Sequence, residues 1–261
     1  MGVSETLERL LLQRSAATGL RVVDTLALTP HMRRVQFEGQ DLTRFADHDN
    51  LHVRLMLPPD RAPRRDWLEI DRAGLVIRSN RFVPLYRKYT IRAIAPDQGR
   101  VSIDFVLHGD AGPGSAWASR AAPGDVVGMI GPGGLGIAAA DHYLIAGDET
   151  ALPAIARILE ILPASATGDV VIEVEGAEEE LPLHVPPSMS LRWVHRGSAP
   201  GDLPGAISAL GWQRQGRAHA WIGAEFAAVR DIRRHLEAQG MARKDMLAVA
   251  YWRRQGPARR A

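Results

Sequence analysis

The stretch Ile130–Gly147, "IGPGGLGIAAADHYLIAG", sets Gly131, Gly133 and Gly136 in the G-x-G-x-x-G spacing of a dinucleotide-binding turn. Such a turn requires a helix that begins at the glycines, because the pyrophosphate sits on the first amides of that helix. Only Ile137 to Asp141 separate these glycines from the next apolar run, HYLIAG, which reads as a strand. That gap is too short for a helix. The segment is predicted to be a turn between two domains, with the boundary between Ile137 and Asp141.

The sequence on either side of this seam follows different rules. Towards the N-terminus lie GLRVVDTLAL, HMRRVQFEG, LHVRLMLPP, GLVIRSN, RKYTIRAIA, RVSIDFVLHG and DVVGMIGP, short alternating runs broken by turn residues and separated by no long helix. They predict an all-β antiparallel barrel or sandwich. Towards the C-terminus, the runs HYLIAG, DVVIEVEG, SLRWVHRG, AHAWIGA and MLAVAYW alternate with the helical patterns ALPAIARILEIL, LPGAISAL and FAAVRDIRRHLEAQG. That is the order of an α/β doubly wound parallel sheet. The expected organisation is an N-terminal helix over 1–19, a β-barrel domain over 20–137, a nucleotide-binding α/β domain over 138–256 and a basic tail over 257–261.

Composition narrows the chemistry. The 261 residues suffice for two domains, each with its own core. The chain has no cysteine, which excludes disulfides, thiol nucleophiles, cysteine-held zinc and cysteine-ligated iron–sulfur clusters. Glu5, Glu8 and Arg9 interrupt the leucines of SETLERLLLQR, which suits a short amphipathic helix capped by Ser4 and not a signal-peptide core. No apolar run approaches the ~20 residues of a membrane span. A cytoplasmic, monomeric protein is expected. The basic clusters APRRDW and WRRQGPARRA come without stacking aromatics or a nucleic-acid module, so nucleic acid is not an expected partner. The histidines at 31, 52 and 195 lack metal-ligand spacing, and no metal site is expected.

Three segments could carry function. In LYRKYTIRAI, Leu85–Ile94, the strand period sends Arg87, Tyr89 and Ile91 one way and Lys88, Thr90 and Arg92 the other. This is either a solvated edge strand, or a surface on which arginine clamps a pyrophosphate and tyrosine lies on a planar ring. In DFVLHGDAGPGSAWA a strand ends at His108, and a loop containing Gly112 and Gly114 leads into a helix expected to start near Ser115. Its backbone could approach a phosphate, although such loops precede many helices. In LIAGDETALPAIARILE, Asp148 or Thr150 is expected to cap a helix with Pro153 in its first turn. This turn also follows the first strand of a doubly wound sheet, where nucleotides bind.

In order and spacing, LTPHMRRVQFEG, RKYTIR, HGDAGPGSAWA, AGDETALPAIARILE, WIGAEFAAVRDIRRHL and the terminal YWRR resemble the siderophore-interacting protein family. These are ferric-siderophore reductases of the ferredoxin–NADP reductase superfamily, and the likeness spans roughly Leu20 to Gly256. The resemblance implies an FAD-binding barrel and an NAD(P)H-binding α/β domain. It places Arg87 on the FAD pyrophosphate, Tyr89 on the isoalloxazine and Thr90 near its reactive nitrogen, with Arg92 completing the basic strand; Tyr89 and Thr90 are the implied catalytic pair. Asp104, Val106 and His108 line the flavin or its ribityl chain, and Gly112, Gly114, Ser115, Trp117 and Ala118 wrap the phosphates. Gly147, Asp148, Glu149, Thr150, Arg196 and Glu225 would meet NAD(P)H.

The implied reaction passes electrons from NAD(P)H through FAD to chelated Fe(III), which loosens the siderophore's hard oxygen grip on the metal. Arg196, against Glu173 or Glu175, tilts the expectation slightly towards NADPH. Arg253 and Arg254 are the implied ferric-siderophore contacts. Trp252 either covers the core or shields a flavin face. Rival readings are an NAD(P)H-flavin reductase with another acceptor, and a non-enzymatic ferric-chelate binder.

Overall fold

A computed structural model describes residues 17–46, 50–77, 82–110, 112–197, 202–212 and 216–254. The expected N-terminal helix falls outside these residues up to position 16, as does the basic tail. Thr18 and Gly19, assigned above to that helix, instead begin a strand. The chain divides into two compact units, Met1–Gly136 and Ile137–Ala261.

The first unit contains β1 (Thr18–Thr29), β2 (Met32–Gly39), β3 (His52–Leu57), β4 (Glu69–Ile70), β5 (Val76–Ile77), β6 (Leu85–Thr90), β7 (Ala93–Ala95), β8 (Arg100–Val106), the helix α1 (Pro113–Ser119) and β9 (Val126–Gly133). Seven of the strands form one antiparallel sheet in the order β6-β3-β9-β1-β2-β8-β7, and β4 pairs with β5. Alternation builds the inner face. Val35 and Phe37 on β2 lie across from Ile103 and Val101 on β8, and all four are buried. Trp117 of α1 enters this core, 6.2 Å from Phe37 and 5.5 Å from Phe105 between ring centroids.

The expected barrel is barrel-like but open. Among the described residues, its three-residue strand β7 pairs only with β8, so the ladder stops before closure. The chain steps from the edge strand β6 to β7 through Ile91 and Arg92, whose amides donate to Leu51 and Ser102 at 3.2 and 2.9 Å. The glycine run also departs from its expected turn. Gly133 still pairs with His52 of β3, and Gly131, at φ 138°, keeps β9 going in a conformation open to glycine.

The second unit contains β10 (His142–Asp148), α2 (Leu152–Ile161), β11 (Thr167–Val174), β12 (Ser188–His195), α3 (Leu203–Leu210), β13 (Ala218–Glu225), α4 (Phe226–Ala238) and β14 (Met246–Trp252). Its five strands are parallel, in the order β12-β11-β10-β13-β14. Tyr143 to Asp148 are all buried, as both faces of a central parallel strand require. Helix α4 presents Val229, Ile232 and Leu236 to the core at helical spacing. The chain moves outward from β10 to β12 and then returns to β13, which makes a switch point between β10 and β13. A crevice outside the carboxyl ends of such strands is where α/β sheets bind ligands.

Candidate functional site

In the first unit the candidate residues gather on β6 and on the loop leading into α1. Tyr89 packs on Phe105 with ring centroids 4.4 Å apart and keeps intermediate exposure, so a second ring could meet only its remaining side. Burial pushes its phenol well above the ordinary range, against the opposing pull of Arg87. A Cβ built on Gly114 would fall 1.8 Å from the Tyr89 hydroxyl. Glycine there lets α1 close onto the tyrosine, and α1 begins at Pro113, two residues earlier than expected. Arg87 is exposed. It donates to the Tyr86 carbonyl at 2.8 Å and, among the described residues, meets no carboxylate.

The opposite face of β6 holds a basic group that sequence reasoning passed over. Thr90 lies across from His52, and Lys88 across from Arg54. Thr90 is buried, and His52 packs its ring over Gly133 and Gly134. Burial first, then the charges of Lys88 and Arg54, hold the His52 pKa below its ordinary value. His52 was legible as a polar residue in an apolar strand, but its cross-strand neighbours were not.

Several implied flavin contacts have other partners. Asp104 accepts a bidentate pair from Arg34, at 2.7 and 2.8 Å, across the β2–β8 ladder. Its side chain is only 2% exposed, so it is a cross-strand tie rather than an open lining group. Trp117 and Ala118 belong to the barrel core and not to a phosphate loop. Ser115 closes its own loop, since its hydroxyl donates to Gly109 at 2.7 Å and accepts from the His108 amide at 2.9 Å. Val106 pairs with Met32 at the end of β8, Arg92 sits at the step between the two edge strands, and His108 is exposed beside extended Gly112.

An anionic group and a flat ring fit this unit. The fit rests on exposed Arg87 two residues from Tyr89, with Gly114 in the first turn of α1 held against the same tyrosine.

In the second unit the carboxyl ends of the strands surround a cavity of about 570 Å³ lined by Asp148, Glu173, Arg196, Glu225, Trp252 and Arg254, among others. A larger hollow, of about 930 Å³, opens beside Ala218 and Trp212 at the amino end of β13, away from every candidate residue. The smaller cavity is the one that topology singles out.

Asp148 is the hub of that cavity and is only 2% exposed. It accepts from the Thr150 amide at 2.9 Å and its hydroxyl at 2.5 Å, from the Glu225 amide at 2.9 Å, and from the Trp252 indole at 2.8 Å. Burial pushes its carboxyl up in spite of these donors. Neither Asp148 nor Thr150 caps α2 as expected; the cap position is Ala151, with no side-chain bond. The Trp252 indole, expected either to cover the core or to shield a flavin face, is tied to the end of β10. Gly147 lets this end stay compact, because a Cβ there would fall 2.5 Å from the Gly223 carbonyl and 2.7 Å from Ala151.

Glu225 caps α4 through the amides of Ala227 and Ala228, and its other oxygen accepts from the Arg254 amide at 3.0 Å. Burial pushes its carboxyl up, but these amides and the charge of Arg254 outweigh burial and hold it below the usual range. Arg253 lies over the Phe226 ring at 3.9 Å, and both arginines are exposed.

Arg196 does not stand open to a ligand phosphate. Its Nη1 and Nη2 meet Glu149 at 3.0 and 2.5 Å, its Nε meets Glu173 at 2.9 Å, and Nη1 also meets Glu175 at 3.3 Å. Burial lowers its pKa, but the hydrogen bond and charge of Glu149, then the other glutamates, raise it well above the ordinary arginine value. The tilt towards NADPH presumed an available Arg196. Among the described residues no cluster of three or more His, Asp or Glu could hold a metal, and no helix is long and apolar enough to cross a membrane.

Comparison with known proteins matches the two units separately. Residues 21–136 match the family model of the siderophore-interacting FAD-binding domain, and residues 140–255 that of the siderophore-interacting protein. The ferric vibriobactin reductase ViuB of Vibrio cholerae is 33% identical over 234 residues, covering 87% of this chain and 86% of ViuB. The siderophore-interacting protein SipS from Aeromonas hydrophila superposes with a TM-score of 0.78 at 31% identity, over 93% of this chain and 94% of SipS. A siderophore utilization protein from T. fusca gives 0.77 at 36% identity, over 92% and 94%.

Proposed function

This chain belongs to the siderophore-interacting protein family, and on that premise we propose that it is an FAD-dependent reductase that moves electrons from a reduced nicotinamide dinucleotide to Fe(III) held in a siderophore. The observation that supports this reading most is β6. An exposed arginine with no carboxylate partner among the described residues lies two residues from a tyrosine held against a glycine-opened helix.

In this reading Arg87 binds the FAD pyrophosphate by charge-assisted bonds. Tyr89 gives the remaining side of its ring to the flavin, and Phe105 behind it fixes the ring's tilt. Thr90 offers a hydroxyl beside His52, whose depressed pKa keeps the imidazole neutral. When bound, FAD supplies the conversion that lets a two-electron hydride donor serve a one-electron metal. Each nicotinamide oxidised to its cation reduces two Fe(III) and releases one proton.

The nicotinamide dinucleotide occupies the cavity at the carboxyl ends of β10 and β13, with Asp148 positioning the Trp252 edge of that cavity. Arg253 and Arg254 receive the anionic ferric chelate; Arg253 on Phe226 makes a flat cationic surface suited to it. Reduction weakens the hold of hard oxygen donors on the iron and frees it. We place the reaction in the cytoplasm, where the reduced nicotinamide pool is.

The test is steady-state Fe(II) release. FAD-loaded protein, a reduced nicotinamide dinucleotide and a ferric catecholate or hydroxamate are mixed with a coloured Fe(II) trap. Colour that requires all three components is the expected result; colour no faster than in the protein-free control contradicts the proposal.

A further inference from the structure

Arg196 follows β12 at the rim of the nucleotide cavity, where a doubly wound sheet meets the adenosine ribose. An arginine at such a place is ordinarily a receiver for a 2′-phosphate, and this one is already occupied. All three of its guanidinium nitrogens point to carboxylates, from the β10–α2 turn through Glu149 and from the end of β11 through Glu173 and Glu175.

The cluster is fixed from behind as well. The second oxygen of Glu173 accepts the Leu203 amide at 2.7 Å, at the start of α3, so Glu173 cannot swing away without leaving that first-turn amide without this acceptor. Arg196, Glu149 and Glu173 are each mostly buried, with side chains 25, 22 and 14% exposed. Three carboxylates against one guanidinium leave a formal surplus of two negative charges. A phosphate reaching Arg196 would have to displace a carboxylate and lie beside it unpaired, whereas a neutral 2′-hydroxyl can donate to one of the carboxylates as it stands.

We infer that the Arg196–Glu149–Glu173–Glu175 cluster makes this protein select NADH and reject NADPH. The inference rests on the proposed nicotinamide site in the same cavity.

The test is calorimetric binding to the FAD-loaded protein, with NAD⁺ against NADP⁺ and 5′-AMP against 2′,5′-ADP. The 2′-phosphate is expected to weaken both ligands by roughly 10- to 100-fold. Arg196→Leu should leave NADP⁺ no weaker, because the arginine never met the phosphate. Glu149→Gln with Glu175→Gln, which keeps Glu173 on α3, should strengthen NADP⁺ by roughly tenfold and narrow the preference for NAD⁺ over NADP⁺ by at least that factor. NADP⁺ binding as tightly as NAD⁺, or lost on Arg196→Leu, overturns the inference and leaves the nicotinamide site standing. No binding of either dinucleotide or of 5′-AMP overturns both.

Discussion

The indole N–H of Trp252 donates to the buried carboxylate of Asp148 across 2.8 Å and 104 positions of sequence. This bond joins the last strand of the parallel sheet to its first, at the switch point where the cavity opens. The same carboxylate also holds the amide of Glu225 at the end of β13. Asp148 therefore connects the ends of three strands, and the positions of Trp252, Arg253 and Arg254 depend on it.

Asp148→Asn is expected to lower stability by about 1 to 3 kcal/mol, because one amide oxygen replaces two acceptors and the new NH₂ faces donors. Urea unfolding monitored by tryptophan fluorescence measures the loss. An unchanged midpoint would mean that the four bonds to Asp148 contribute nothing net.

Gly114→Ala places a methyl group 1.8 Å from the Tyr89 hydroxyl, which forces either α1 or the tyrosine to move. A loss of about 1 to 3 kcal/mol is expected, together with weaker FAD binding. Tyr89→Phe in the same chain should restore part of it, because the nearest remaining ring atom lies 3.1 Å from the new methyl. A double-mutant cycle with no coupling between the two sites would show that this contact does not set the fit.

Arg87→Ala removes charge-assisted bonds worth ~1.5 to 3 kcal/mol, which corresponds to FAD binding weakened by ~10- to 150-fold. Flavin fluorescence on titration reads the dissociation constant. Full flavin retention after extensive dialysis would remove Arg87 from the pyrophosphate site.

His52 sets an acid limit on the first unit. Its folded pKa is depressed below the ordinary 6.5 by burial, Lys88 and Arg54, so the unfolded chain binds its proton more readily than the folded one. Stability is then full above pH 6.5 and falls as the pH drops from there through the depressed value. His52→Gln should flatten that part of the stability–pH curve, as followed by thermal unfolding in a pH series. A slope identical to that of the parent protein would assign it to other groups.

Much of this was legible in the chain itself. The helical and strand periods on either side of Gly136 differ enough to locate the change of architecture, and the missing helix after Gly131-x-Gly133-x-x-Gly136 was apparent from the spacing alone. What spacing could not show was pairing. Gly133 stays in a strand because His52 lies beside it, 81 positions earlier. Arg196, Glu173 and Glu175 were visible as rival candidates, but their mutual engagement, with Glu149 as a third acid, depends on the ends of separate strands converging. The resemblance implied Asp104 as a lining acid, and its register partner, Arg34, lies 70 positions away on another strand. Side-chain alternation was readable from local sequence; the partners of buried charges were not.

The most direct measurement is an anaerobic absorbance titration of the FAD-loaded protein, first with a reduced nicotinamide dinucleotide and then with a ferric catecholate or hydroxamate in the presence of an Fe(II) trap. The flavin band is expected to bleach with the nicotinamide and return with the ferric chelate, two Fe(II) being trapped for each nicotinamide oxidised. A flavin that fails to bleach, or that stays bleached in the presence of every ferric chelate, would contradict it.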